Sequence, residues 1–166
     1  MSNVTFLLLT GVIGVGILIL LIKYWYAKLY FKYSLESNNT AYAIYLAAQL
    51  ISFGILFSAI LEPLVVLNTM LSNASGDASL METLQYSGLF ISIVTMIYIV
   101  LVAISNFLYK YFSKSENGIF EEIRANKIAA AAITGIILIS MVIIFYAVVG
   151  KIVTEFIPYP DVPRIF

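Results

Sequence analysis

The side chains best placed to do chemistry in this chain are a carboxylate and a carboxamide that lie in apolar sequence. Glu62 directly follows an uncharged run, residues 37–61, and Gln49 lies inside that run. Burying a charge in a membrane is costly, so Glu62 is a candidate functional group. Pro63 ends or bends a helix next to it, which favours an interfacial, structural position for the carboxylate. For Gln49 we expect a hydrogen bond between helices.

Two asparagines, Asn39 and Asn126, occupy matching places, each just before an apolar segment. Asparagine at such a place commonly caps a helix, and in a membrane protein it can bind the backbone of a neighbouring helix. We therefore expect a structural role for both residues. The alternative is that they face each other and present their carboxamides to an ion or a lipid headgroup.

The sequence contains no histidine and no cysteine, so the residues on which most other catalytic chemistry depends are absent. These residues are the usual ligands of haem, zinc, copper and iron–sulfur centres, and they also supply thiol nucleophiles and imidazole bases. We expect no cofactor, no metal site and no enzymatic activity. An enzyme would need Glu62 to converge with other polar groups in a cleft. The nine Lys and Arg residues are dispersed in short loops, so nucleic-acid binding is not expected.

Four long uncharged segments contain or border the candidate residues: residues 4–22, 41–61, 84–109 and 128–150. An α-helix rises about 1.5 Å per residue, so about 20 apolar residues cross a hydrocarbon layer of about 30 Å. Hydrophobic residues make up 62% of the chain and charged residues 11%, which a soluble domain would not need. The sequence therefore predicts an all-α integral membrane four-helix bundle in a single domain, residues 1–166.

The distribution of basic residues predicts the orientation, because Lys and Arg tend to stay on the cytoplasmic side. None lies between the second and third segments. Seven lie between the first and second or between the third and fourth: Lys23, Lys28, Lys32, Lys110, Lys114, Arg124 and Lys127. Lys151 and Arg164 follow the last segment and count against the pattern. We expect a multi-pass protein of the cell membrane with both termini extracytoplasmic.

Lysines and aromatic residues alternate at the cytoplasmic end of the first segment, where Lys23, Trp25, Lys28 and Lys32 lie. Amphipathic rings and long basic side chains are typical of a membrane–water boundary. The simplest interpretation is an ordinary interfacial belt. Recognition of anionic lipids or of an acidic partner by the lysines is the alternative.

The two halves of the chain share a pattern at their second apolar segment. Three pairs of residues align: Asn39 with Asn126, Ala43 with Ala130, and Ala48 with Gly135. This alignment predicts two tandem helical hairpins, about residues 1–71 and 82–150, followed by a proline-containing extended tail, residues 151–166. Because each hairpin contains two spans, the hairpins would be parallel, whereas many transporters contain inverted repeats.

Small residues recur four positions apart, which places each pair on one side of a helix. The pairs are Thr10 with Gly14, Ala43 with Ala47, and Ala131 with Gly135. Small side chains allow two backbones to approach closely, and close approach drives helix association in lipid. We expect these faces to pack against other helices rather than to line a pore.

These patterns resemble the domain-of-unknown-function 350 family of prokaryotic membrane proteins, which carry two tandem two-span repeats. The family signature is an acidic stretch, then Asn, then alternating alanines that run into an Ala-Gly pair. The matching positions are Asn39, Ala41, Ala43, Glu121, Glu122, Asn126, Ala130 and Gly135. The chain departs from the signature at Ala48, where Gly is favoured, and at Ile128, where Ala is expected. The resemblance implies an architecture and a bacterial or archaeal envelope rather than an activity.

The sequence thus predicts a non-catalytic membrane subunit of a prokaryotic envelope assembly. We expect it to act through helix packing, with membrane lipids around it and with copies of itself or other membrane proteins as partners. The alternative is a small ion or solute channel or transporter with a path at the repeat interface, past Gln49 and Glu62. A continuous water-accessible row of polar residues would favour the alternative, and dry contacts between Ala and Gly would favour association.

Overall fold

The computed structural model describes residues 3–33, 39–75, 80–113 and 118–157, and every regular element among them is an α-helix. The helices are α1 (Asn3–Tyr33), α2 (Thr40–Ser58), α3 (Leu61–Ser75), α4 (Leu80–Ser113), α5 (Ile119–Arg124) and α6 (Ile128–Glu155). The all-α class predicted from the sequence is confirmed.

Four helical stretches are long and apolar enough to cross a membrane. They are Leu7–Tyr24, Thr40–Leu71, Leu84–Ser113 and Ile128–Glu155, and each overlaps one predicted segment. The chain is therefore a membrane protein with four candidate spanning helices, as predicted. The second stretch combines α2 and α3.

The second stretch is interrupted close to Pro63. Ala59 and Ile60 form a turn between α2 and α3, and their N–H groups donate to carbonyls three residues back, those of Leu56 and Phe57. Pro63 lies in the first turn of α3, where its missing N–H group is tolerated. The interruption expected near Pro63 is present, and Glu62 lies just beyond it.

Helices α2, α4 and α6 form the centre of the bundle, and α2 and α6 make the most extensive contact in it. One apolar cluster joins them and includes Leu56, Phe90, Val94, Leu101, Leu138 and Val142. Helix α1 lies at the periphery, since only 11% of its window Leu7–Tyr24 is buried. Its Gly14 lies under the ring of Phe57, so the absent side chain at Gly14 lets α1 approach α2.

The last helix is longer than expected. Residues 151–155, which we predicted to begin the extended tail, complete α6, and Ile157 is buried. The physical reason is that no helix breaker precedes Pro158, so the apolar face of α6 continues for one more turn. The rest of the predicted tail, residues 158–166, lies outside the described residues.

Candidate functional site

Asn39 links the start of α2 to the end of α5. It takes the N-cap position of α2, where its Oδ1 accepts a hydrogen bond from the Tyr42 N–H at 2.7 Å. Its Nδ2 donates to the carbonyl oxygen of Ile123 at 2.6 Å, 84 residues away in the chain. Both contacts expected of this asparagine, a helix cap and a bond to a distant backbone carbonyl, are therefore made by one buried side chain.

Asn126 makes the return link from the second half of the chain to the first. Its φ of 55° is left-handed, a conformation that asparagine tolerates better than most residues, and it lies in the turn between α5 and α6. Its Oδ1 accepts a hydrogen bond from the Ala41 N–H at 2.9 Å. Two of the N–H groups that lack partners at the start of α2 are thus bound by the two asparagines.

The same region contains an ion pair between Glu122 and Lys127. The Oε2 of Glu122 lies 2.7 Å from Nζ of Lys127, and the two side chains are 7% and 56% exposed. The hydrogen bond to the Glu122 carboxylate raises the pKa of Lys127 above its ordinary value. The lysine offsets the charge of a buried carboxylate that would otherwise be costly. We call the set of Asn39, Asn126, their backbone partners and this ion pair the asparagine junction.

Helices α2 and α6 meet closely at Ala48 and Gly135, two residues that the sequence alignment paired. A Cβ atom added to Gly135 would lie 2.7 Å from the Cβ of Ala48, closer than real Cβ atoms approach each other. Ala41, Ala130 and Ala131 are also buried. This contact is made by small side chains, as expected for helix association in lipid.

Ala43 and Ala47 lie on the other side of α2 and are exposed. The expected packing therefore holds for Ala131 and Gly135 but not, within this chain, for Ala43 and Ala47. Successive helical residues are about 100° apart, so a helix that buries Ala41 and Ala48 turns Ala43 and Ala47 away from the bundle.

Gly54 and Ser58 are exposed on the same side of α2, seven and eleven residues after Ala47, and the large side chains of Leu50 and Ile51 are exposed between Ala47 and Gly54. A Cβ atom added to Gly54 would meet nothing within 4 Å. We call Ala43, Ala47, Gly54 and Ser58 the small-residue face of α2. Large apolar side chains predominate on the exposed side of α6: Ile133, Ile136, Ile143 and Ile144. The sequence prediction did not include Gly54 and Ser58, because Leu50 and Ile51 interrupt the four-residue spacing of small residues.

Two polar side chains of α4 are bonded to neighbouring helices, whereas the buried hydroxyl of Ser52 on α2 has no hydrogen-bond partner in the part of the chain that the structure describes. The Tyr98 hydroxyl of α4 donates to Oε1 of Gln49 on α2, the interhelical bond expected of this glutamine. Ser105 of α4 donates to the Thr134 carbonyl of α6 at 2.9 Å. The cavity beside Gln49 has a volume of about 10 Å³, room for about one water molecule. Tyr98 and Ser105 carried no sequence motif and were not predicted.

Glu62 is exposed and lines an open cavity of about 260 Å³ between the start of α3 and the last turns of α6. The lining residues are Ala59, Glu62, Pro63, Val66, Tyr146, Ala147, Gly150, Thr154 and Ile157. Gln49 lines the other cavity, so the two candidate intramembrane polar residues are not brought together. Among the residues that the structure describes, no group of three or more acidic side chains could hold a metal ion.

The predicted interfacial segment is helical, since α1 continues to Tyr33. Lys23 is exposed within it. The side chains of Trp25, Lys28 and Lys32 lie outside the described part of the chain, so the choice between an ordinary belt and lipid recognition stays a prediction.

One comparison with known proteins finds a match. The family model with the description "Domain of Unknown Function (DUF350)" matches residues 1–149 of the 166-residue chain. No curated protein and no solved structure matches the chain.

Proposed function

The chain belongs to the DUF350 family, and from this premise we propose that it is a non-catalytic membrane subunit of a prokaryotic envelope assembly. It works by helix packing and associates with further copies of itself or with other membrane proteins. Its four apolar helices provide the membrane-embedded part of that assembly.

The observation that carries this proposal is the small-residue face of α2. Exposed positions of α6 and α1 present large apolar side chains, which suit contact with lipid tails, as at Ile136, Ile144 and Leu20. Ala43, Ala47 and Gly54 instead leave two shallow areas on the outside of α2, one before and one after the exposed Leu50 and Ile51. Lipid contact does not require small side chains, whereas close packing of another helix does.

The interior of the bundle supports the same proposal. The α2–α6 contact is formed by small and apolar side chains. Two pairs of polar groups beside it are bonded, Gln49 with Tyr98 and Ser105 with the Thr134 carbonyl, and Ser52 is a single buried hydroxyl without a partner among the described residues. A channel would instead need polar groups that stay available along a continuous path. The bundle thus suits a scaffold that offers one helix face to a neighbour.

Disulfide crosslinking tests the proposal directly, because the chain contains no cysteine. We expect Ala47→Cys to give a crosslinked dimer on mild oxidation in native membranes, since copies that pack through α2 bring this position together. Ile136→Cys is the matched control. It lies about as far along α6 as Ala47 does along α2 and is also exposed, and it should remain uncrosslinked.

A second variant tests association with a different protein, which crosslinking between identical copies would not detect. Gly54→Leu adds a large side chain to the small-residue face at a position where an added Cβ atom meets nothing within 4 Å, so the bundle should keep its thermal midpoint while its native complex becomes smaller. An unchanged complex, together with equal crosslinking at Ala47→Cys and Ile136→Cys, would contradict association through α2.

A further inference from the structure

The cavity that holds Glu62 lies about one membrane thickness from the asparagine junction. Helix α2 contains 19 residues and so rises about 28 Å before the turn at Ala59 and Ile60. Tyr146 and Gly150 lie at a similar height on α6, 18 and 22 residues beyond its start at Ile128. The cavity is therefore located at the opposite membrane–water boundary, at the depth of lipid headgroups.

The polar groups around this cavity are hydrogen-bond acceptors. Glu62 supplies a carboxylate, and no cation among the described residues forms a salt bridge with it. The carbonyl of Ala59 cannot receive the regular helical hydrogen bond, because the residue four positions later is Pro63, which has no N–H. This oxygen faces α6, since a Cβ atom added to Gly150 would lie 3.6 Å from it.

The other polar side chains that line the cavity can also accept hydrogen bonds. The Thr154 hydroxyl donates to the Gly150 carbonyl, which leaves its oxygen lone pairs as acceptors, and the Tyr146 hydroxyl can also accept. Val66, Ala147 and Ile157 provide apolar walls. The cavity of about 260 Å³ is just below the roughly 300 Å³ at which sites for drug-sized ligands begin, so it suits a small headgroup.

We propose that this cavity binds the primary ammonium group of an aminophospholipid headgroup, with Glu62 as its counter-charge and the Ala59 carbonyl as a second acceptor. A primary ammonium has three N–H donors, which match an acceptor-lined site, and a carboxylate forms a charge-assisted hydrogen bond with it. A trimethylated ammonium has no N–H donor and is larger, so the site discriminates against it. This inference does not rest on the proposed function, because it concerns the opposite end of the bundle from the asparagine junction and a lipid rather than a protein.

Native mass spectrometry of the detergent-purified full chain tests the proposal. Phosphatidylethanolamine and phosphatidylcholine with identical acyl chains are added separately, and the lipid that stays bound is counted. We expect about tenfold stronger retention of phosphatidylethanolamine, and we expect Glu62→Gln to abolish this preference by removing the charge-assisted bond. Glu155→Gln is the matched control, because Glu155 is an exposed carboxylate near the same end of α6 that does not line the cavity.

A second variant keeps the test valid if Glu62→Gln disturbs folding. Gly150→Leu fills the cavity while retaining the carboxylate, and it should also remove the preference. Equal retention of the two lipids by the unmodified chain, or a preference that survives both substitutions, would overturn the proposal. So would an equal loss in Glu155→Gln, which would indicate general surface charge. Displacement of the lipid by free ethanolamine at equal concentration would overturn the assignment to a lipid.

Discussion

Asn39 fills two structural needs with one planar side chain. Its oxygen caps α2 and its nitrogen reaches the Ile123 carbonyl, so the start of one helix is attached to the end of another. Asparagine suits the position because its carboxamide contains an acceptor and a donor. Serine or aspartate caps helices as well but would leave the Ile123 carbonyl without this partner.

Substitution of Asn39 separates the two contacts. Asn39→Ala removes both and should cost about 1–3 kcal/mol of stability, seen as a lower thermal midpoint in detergent. Asn39→Asp keeps the capping oxygen but places an acceptor against the Ile123 carbonyl, so we expect a loss of similar size. A wild-type midpoint for Asn39→Asp would show that the cap alone matters.

At the scale of the helix, the spacing between α2 and α6 depends on a glycine. The two helices meet at Gly135 and Ala48, where one added methyl group has no room. Sequence alone identified both residues because small side chains at regular spacing are typical of helix contacts. It could not decide that Ala41 faces inward and Ala43 outward, because the two are chemically identical and burial depends on where the neighbouring helices lie.

Exchanging the small residues tests this contact. Gly135→Ala forces the backbones apart and should destabilise the bundle by about 1–3 kcal/mol. Adding Ala48→Gly removes the opposing methyl group, so the double variant should recover most of the lost thermal midpoint. Gly16→Ala is the control, since nothing lies within 4 Å of its added Cβ atom and no loss is expected. Failure of the double variant to recover would show that the Ala48–Gly135 contact does not set the helix spacing.

The helix boundaries were also predicted only in part from the sequence. Length and apolar character predicted all four spans, and Pro63 predicted the interruption after α2, because each signal is local. The end of α6 was predicted too early because Lys151 and Glu155 are charged and so end the apolar segment, although neither residue prevents a helix. The bonds of Tyr98 and Ser105 connect residues 49 and 29 positions apart, so they depend on packing that no local pattern encodes.

At the scale of the whole molecule, the asparagine junction holds the start of α2 against the turn between α5 and α6. Arg124 and Lys127 flank that turn, at the end of α5 and just before α6. The bond from Asn39 to Ile123 therefore places the start of α2 and these two basic residues on one side of the bundle. The predicted cytoplasmic location of that side rests on the preference of Lys and Arg.

Cysteine labelling in intact bacterial cells tests this orientation. A membrane-impermeant maleimide should label Glu155→Cys, which is exposed at the end of α6 predicted to be extracytoplasmic. Arg124→Cys, exposed on the junction side, should be labelled only after the cells are permeabilised. The reverse labelling pattern would show that the asparagine junction faces the outside of the cell.

The asparagine junction also determines which positions in the two halves of the chain can change in sequence. Both asparagines bind main-chain atoms, the carbonyl of Ile123 and the N–H of Ala41, which almost any residue at those positions would supply. Ala41 and Ile123 are both fully buried, so a substitution that fits their surroundings keeps these hydrogen bonds, whereas loss of an asparagine removes them. The contact between the two halves of the chain can therefore persist while the side chains at the bound positions change.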